Sequence, residues 1–155
     1  MNIVGIDHIA VATEDVDETA TLLERLLGVQ FGERITYTTE TNSGEYDFVG
    51  RLSNGPEGFD LVQPQDDNPV REFLDHYGPG TYAIALQVTD IEEALEELET
   101  EGVEPVGSVS PGEFTEYFFH PDDFGGMFII LAERPHPFET NRKMETDPER
   151  RRDNS

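Results

Sequence analysis

The chain reads as an α+β protein built from two tandem βαβββ units. Three observations support this. The stretch Gly5-Ile-Asp-His-Ile-Ala-Val-Ala-Thr13 returns in blurred form as Gly80-Thr-Tyr-Ala-Ile-Ala-Leu-Gln-Val88. Each copy is followed by an acidic run with helical periodicity, and each helix is followed by three short strand candidates. A length of 155 residues suits one compact domain holding both units.

Ile3 to Thr13 carries the first strand. Ile3, Gly5, Asp7, Ile9 and Val11 fall on one face by simple alternation; Val4, Ile6, His8, Ala10 and Ala12 fall on the other. Both faces are mainly apolar, as in a strand covered on both sides. Glu14 to Leu27 follows as a helix. Asp15 and Glu18 have capping-box spacing, Val16, Ala20, Leu23 and Leu27 form the apolar stripe, and Gly28 is placed to end it. Gln30–Thr39, Glu45–Leu52 and Gly58–Gln63 are the next strands, joined by turns rich in Asn, Ser and Gly.

A connector, 65–79, contains a short helix expected over Pro69 to His76. The second leading strand is Thr81 to Val88. Capping signals at Thr89 to Glu93 then introduce a helix whose stripe is Ile91, Ala94, Leu95 and Leu98, closed by Gly102. Glu104–Val109, Glu113–Phe119 and Met127–Glu133 complete the unit, with a hairpin over Phe119 to Gly126. The organisation expected is a first module over 1–64, the connector, a second module over 80–134, and a mobile charged tail over 135–155. In the repeat Ile9 aligns with Ile84, Ala10 with Ala85, and His8 with Ala83.

Composition narrows the function classes. Thirty-four acidic residues against ten basic ones give a formal net charge of −24. That field repels nucleic-acid phosphates, so no DNA or RNA partner is expected. Lysine occurs once, at position 143, and the acid excess runs along the whole chain. This pattern reads as a solvated surface adapted to high salt, where screening removes self-repulsion. No run is long enough to span a membrane, and no basic segment precedes an apolar run at the N-terminus. Cytoplasmic location is expected. With no cysteine, thiolate catalysis, thiolate metal sites and disulfides are excluded.

Gly5-Ile-Asp-His-Ile-Ala-Val, the Asp15 to Gly28 helix, Gly80…Ile84-Ala and His120-Pro-Asp-Asp…Gly126-Met-Phe-Ile-Ile-Leu together resemble the vicinal oxygen chelate superfamily. That group includes glyoxalase I, methylmalonyl-CoA epimerase, extradiol dioxygenases and bleomycin-resistance proteins, and the epimerase-like branch is nearest in character. The resemblance covers residues 3 to 133. It implies a curled mixed sheet cupping a small-molecule ligand, and commonly a homodimer.

The resemblance further implies four inward side chains around a divalent metal. Mapped onto this chain they are His8, Asp60, Ala83 and Ile130. His8 and Asp60 can ligate a divalent ion; Ala83 and Ile130 cannot. Two ligands are fewer than the three that catalytic zinc and facial-triad iron require. A rearranged site could draw on Glu116, Tyr117 or His120.

His8 and Asp60 are therefore the candidate catalytic and metal-binding residues. Ala83, Ile130, Phe128 and Tyr117 are the candidate lining of the cup. The function expected is a lyase-, isomerase- or epimerase-type enzyme with an incomplete or rearranged metal site. The alternative is a non-catalytic small-molecule binder of the bleomycin-resistance type.

Overall fold

The computed structural model describes residues 1–110 and 115–134. The expected tail, 135–155, and the start of the strand expected from Glu113 lie outside the described residues. The elements are β1 (Ile3–Ala12), α1 (Val16–Leu27), β2 (Ile35–Thr41), β3 (Gly44–Leu52) and β4 (Phe59–Pro64). After α2 (Pro69–Tyr77) come β5 (Gly80–Val88), α3 (Ile91–Thr100), β6 (Gly107–Val109), β7 (Glu116–Phe119) and β8 (Ile129–Ala132). A 3₁₀ turn, Pro121–Phe124, joins β7 to β8.

Helix starts follow the expected chemistry. The Asp15 side chain accepts from the backbone N–H groups of Asp17 and Glu18, and Asp90 accepts from that of Glu93. Gly28 closes α1 at φ 71°, a left-handed position that costs glycine nothing. Strand β2 starts at Ile35, five residues later than its apolar pattern suggests. Gln30 to Arg34 instead form a loop joined to the end of β3 by a bridge between Phe31 and Ser53 and by Arg51 Nε, which donates to the Gly32 carbonyl.

The eight strands close into one ring in the order β1-β4-β3-β2-β6-β7-β8-β5. Its centre is the antiparallel pair β1–β5, where Ile9 faces Ile84, Ala10 faces Ala83 and His8 faces Ala85. This cross-pairing is what a two-fold axis between the copies requires, because Ile9 and Ile84 are equivalent in the repeat. The flanking parallel pairs keep the equivalence: Ala10 lies beside Asp60, and Ala85 beside Ile130. On the far side the ring is sealed by a short seam, Glu40 with Ser108 and Thr41 with Gly107.

Three apolar clusters follow from strand alternation. Val16 and Ala20 of α1 pack on the outer face of the first sheet half with Val49 and Leu61. Ala94 of α3 packs likewise on the second half with Val88, Phe119, Ile129 and Leu131. The third cluster lies inside the ring: Ala10, Ala12, Phe48, Val62, Ala83, Ala85 and Ile130, joined by Val70 and Leu74 of α2. The connector helix therefore borders the cup, and its Asn68 cap accepts from the N–H groups of Val70 and Arg71.

Candidate active site

Inside the ring lies a cavity of about 930 Å³. Aromatic side chains supply much of its wall. Tyr37 stacks on Phe48 with centroids 5.5 Å apart, and Tyr82 stacks on Phe128 at 4.8 Å. Phe73 meets Tyr82 edge-on, and Phe118 lies against Phe128. His8, Asp60 and Glu116 supply polar groups at the same cavity. Mostly apolar walls with a few convergent polar groups are the usual make-up of a small-molecule site.

His8 is held between two carboxyl groups. Its Nδ1 donates to Asp7 Oδ2 at 2.7 Å, and its Nε2 lies 3.3 Å from Asp60 Oδ2. Strict alternation would send Asp7 to the opposite face from His8. The β1–β5 pairing slips between Ile6 and His8, and this bulge brings both side chains into the interior. Asp7 and His8 are both buried.

Behind Asp7 sits Arg134. Its Nε donates to Asp7 Oδ1 at 3.2 Å and its Nη2 to Asp7 Oδ2 at 2.6 Å. The same Nη2 donates to Glu116 Oε1 at 2.9 Å. The topology explains this reach. Glu116 on β7 pairs with Ala132 on β8, and Arg134 follows two residues later with the same facing. The Arg134 side chain is 0 % exposed, a placement that charge tolerates only with such partners.

These contacts set the protonation of the site. Burial alone would favour neutral Asp7, but the hydrogen bonds from His8 and Arg134, with their charges, hold its carboxyl well below the usual range. Burial likewise opposes charge on His8. The carboxylate of Asp60, the hydrogen bond to Asp7 and the nearby Glu116 outweigh that and push its pKa up to about 9. At neutral pH His8 is an imidazolium, so it is a strong donor and a poor base.

The expected residues are partly gathered here. His8 and Asp60 meet; Ala83 and Ile130 are buried beside them in the inner cluster. Phe128 lines the cavity. Tyr117 does not, because its pairing with Leu131 turns it to the outer face, where it packs in the α3 cluster. Its neighbours Glu116 and Phe118 take the inward positions. His120 also borders the cavity, while its Nδ1 accepts from Asp122 N at the start of the 3₁₀ turn. Asp7 and Arg134 were not among the expected site residues.

A divalent metal can be tested against this donor set. Asp7, His8 and Glu116 bring one ligand atom each to within 4.8 Å of one another. Both carboxyl groups, however, already accept from the Arg134 guanidinium, which a divalent ion would have to displace. His8 and Asp60 alone supply two ligands, and the other mapped positions are Ala83 and Ile130. With Arg134 in place the donors do not fit a divalent ion.

Residues 7–119 match the family model described as the glyoxalase/bleomycin resistance protein/dioxygenase superfamily. Among curated relatives, the mitochondrial methylmalonyl-CoA epimerase of Dictyostelium discoideum is 27 % identical over 144 residues, covering 86 % of this chain and 84 % of that protein. Among solved structures, methylmalonyl-CoA epimerase from Mycobacterium tuberculosis matches with a TM-score of 0.69 at 24 % identity, covering 86 % of this chain and 90 % of that one. A variant of the Streptomyces coelicolor epimerase in complex with 2-nitronate-propionyl-CoA matches with a TM-score of 0.64 at 22 % identity, covering 87 % and 100 %. The two structural matches speak to the fold. By the match across most of its length, the chain belongs to the glyoxalase/bleomycin resistance protein/dioxygenase superfamily.

Proposed function

We propose that this protein is an epimerase-type enzyme that moves a proton on a carbon next to a carbonyl group. The observation that carries the reading is the placement of Asp60 and Glu116. They stand on β4 and β7, four strands apart in the eight-strand ring, and both line the cavity that holds His8. Inversion at carbon needs an acid and a base on opposite faces of the substrate, and this reading assigns those roles to the two carboxyl groups.

In this scheme the Asp60 carboxylate removes the α-proton as the C–H bond breaks. The electron pair moves onto the carbonyl oxygen, giving an enolate that accepts a hydrogen bond from His8 Nε2–H. For turnover in this direction the scheme requires Glu116 to enter with a proton on Oε2, leaving Oε1 to accept from Arg134, and to return that proton to the other face, so that Asp60 ends protonated and Glu116 ionised. The reverse reaction runs from that state. The imidazolium supplies the positive charge at the developing oxyanion, in a cavity with a largely apolar wall that strengthens the interaction.

The substrate class is a small carbonyl compound. Methylmalonyl-CoA is the first to test, since curated relatives carry the name of its epimerase. Loss of optical activity from one enantiomer is expected with the protein and not with Asp60→Asn. Unchanged optical activity across a panel of chiral 2-substituted thioesters and acids would count against the reading.

A second reading is a ligand-sequestering protein. It is favoured by Ala83 and Ile130, which put apolar surface where the family resemblance implies ligands. Under that reading a carbonyl ligand binds with equal affinity to Asp60→Asn and is recovered unchanged. We also expect a cytoplasmic homodimer over modules 1–64 and 80–134. The exposed Ile3, Ile6, Leu26 and Leu27 are apolar surface suited to a second copy, and sedimentation would test it. Among the described residues, no helix is long and apolar enough to cross a membrane.

A further inference from the structure

We propose that Arg134 is the fixed cation of this site: its guanidinium holds the Asp7–Glu116 carboxyl pair that would otherwise join His8 in binding a divalent ion. Arg134 does not line the cavity, so it is a positioning residue rather than a catalytic one. Three observations support the role. The guanidinium grips Asp7 with two nitrogens, Nε at 3.2 Å and Nη2 at 2.6 Å, the forked geometry that arginine offers and lysine does not. The same Nη2 reaches Glu116 at 2.9 Å, so one cation bridges both carboxyl groups. Asp7 in turn accepts from His8 Nδ1 at 2.7 Å, which leaves Nε2 directed toward Asp60 and the cavity.

The consequence is an exchange of one cation for another. A covalently supplied guanidinium is always present and always charged. A divalent ion must be acquired, and needs the same carboxylate oxygens. With Arg134 removed, Asp7, His8 and Glu116 retain three ligand atoms within 4.8 Å of each other, enough for a site with three protein ligands. A residue just beyond the end of β8 thereby occupies the carboxyl oxygens that a divalent ion at Asp7, His8 and Glu116 would need. The role rests on the site described above but not on any particular reaction, because metal content is measured without substrate.

The experiment is metal titration of the full chain after chelator treatment, with Zn²⁺ and Mn²⁺ each used alone. Native protein is expected to retain only substoichiometric metal after desalting. Arg134→Met is expected to bind one equivalent, and Arg134→Met combined with Glu116→Gln to lose it. Stoichiometric metal in the native protein that disappears in Asp7→Asn would overturn the proposal, as would folded Arg134→Met that binds none. If Arg134→Met does not fold alone, either ion in the refolding buffer is expected to restore its near-ultraviolet circular dichroism. Failure of both ions to do so would overturn it equally. Loss of epimerisation with intact metal exclusion would instead count against the reaction and leave the role of Arg134 standing.

Discussion

Arg134 Nη2 lies 2.6 Å from Asp7 Oδ2, joining residues 127 positions apart in the sequence. The contact ties the end of the last strand to the middle of the first. It also passes through Asp7 to His8, so the orientation of the site's imidazole depends on one buried ion pair. Buried pairs of this kind are costly to break from one side, because the remaining charge loses its partner in a place that water does not reach.

Stability is expected to fall on both sides of a mildly acidic optimum. His8 is raised from 6.5 to about 9, so its contribution is fully present below pH 6.5 and is lost as pH rises through 9. A displacement of that size corresponds to about 3 kcal/mol. Asp7 is shifted down from 3.8, so its contribution is present above that value and lost as pH falls further. Chemical denaturation across pH 3 to 10 in molar salt, which mutes surface charge, checks this. His8→Gln should remove most of the alkaline decline; an unchanged decline would assign it to other groups.

How much of this was readable beforehand depends on the residue. His8 and Asp60 stand out because the family resemblance maps both onto inward positions, one on the leading strand and one on the final strand of the first module. The observed Ile9–Ile84 register agrees with the repeat alignment, since equivalent positions of two copies meet at their shared axis. Asp7 was hidden by the bulge at Ile6 to His8, which breaks the alternation used to assign faces. Tyr117 was misplaced because the short strand it belongs to gave no parity signal until its pairing with Leu131 was known. Arg134 is the last residue of the expected second module, and nothing in the adjoining sequence marks it as inward-facing. Only the β7–β8 pairing places it two residues beyond Ala132, facing Glu116.

The ring's weakest join is the β2–β6 seam, and Gly107 is its sensitive point. A Cβ there would lie 2.8 Å from the backbone oxygen of Glu40 and 3.1 Å from Thr41 Cα. Neither backbone atom can move aside without breaking the pairing of Thr41 with Gly107. Gly107→Ala is expected to cost about 1–3 kcal/mol. Thermal unfolding measures the loss, and hydrogen exchange should locate it to β2 and β6. A variant as stable as the parent would mean that the seam is looser than the distances imply.

Salt should stabilise this chain rather than weaken it. A formal charge of −24 makes self-repulsion large at low ionic strength. At 1 M salt the screening length shrinks to about 3 Å, which removes most of that repulsion. The buried Arg134 cluster is shielded from the solvent and should be little affected. The melting temperature is therefore expected to rise steadily from 0.1 to 2 M KCl. A flat or falling curve would show that the acidic surface is not held back by its own charge.

The most direct test of the two-carboxyl mechanism is deuterium wash-in from D₂O, followed separately for each enantiomer of a chiral 2-substituted thioester that the native protein turns over. Removing one base from a two-base epimerase should abolish inversion while leaving exchange of the enantiomer served by the other base. Asp60→Asn is expected to exchange one enantiomer and Glu116→Gln the opposite one, with inversion lowered about 10²-fold or more in both. Equal exchange of both enantiomers by either variant, or inversion surviving in both, would contradict the assignment of Asp60 and Glu116 as the opposed acid and base.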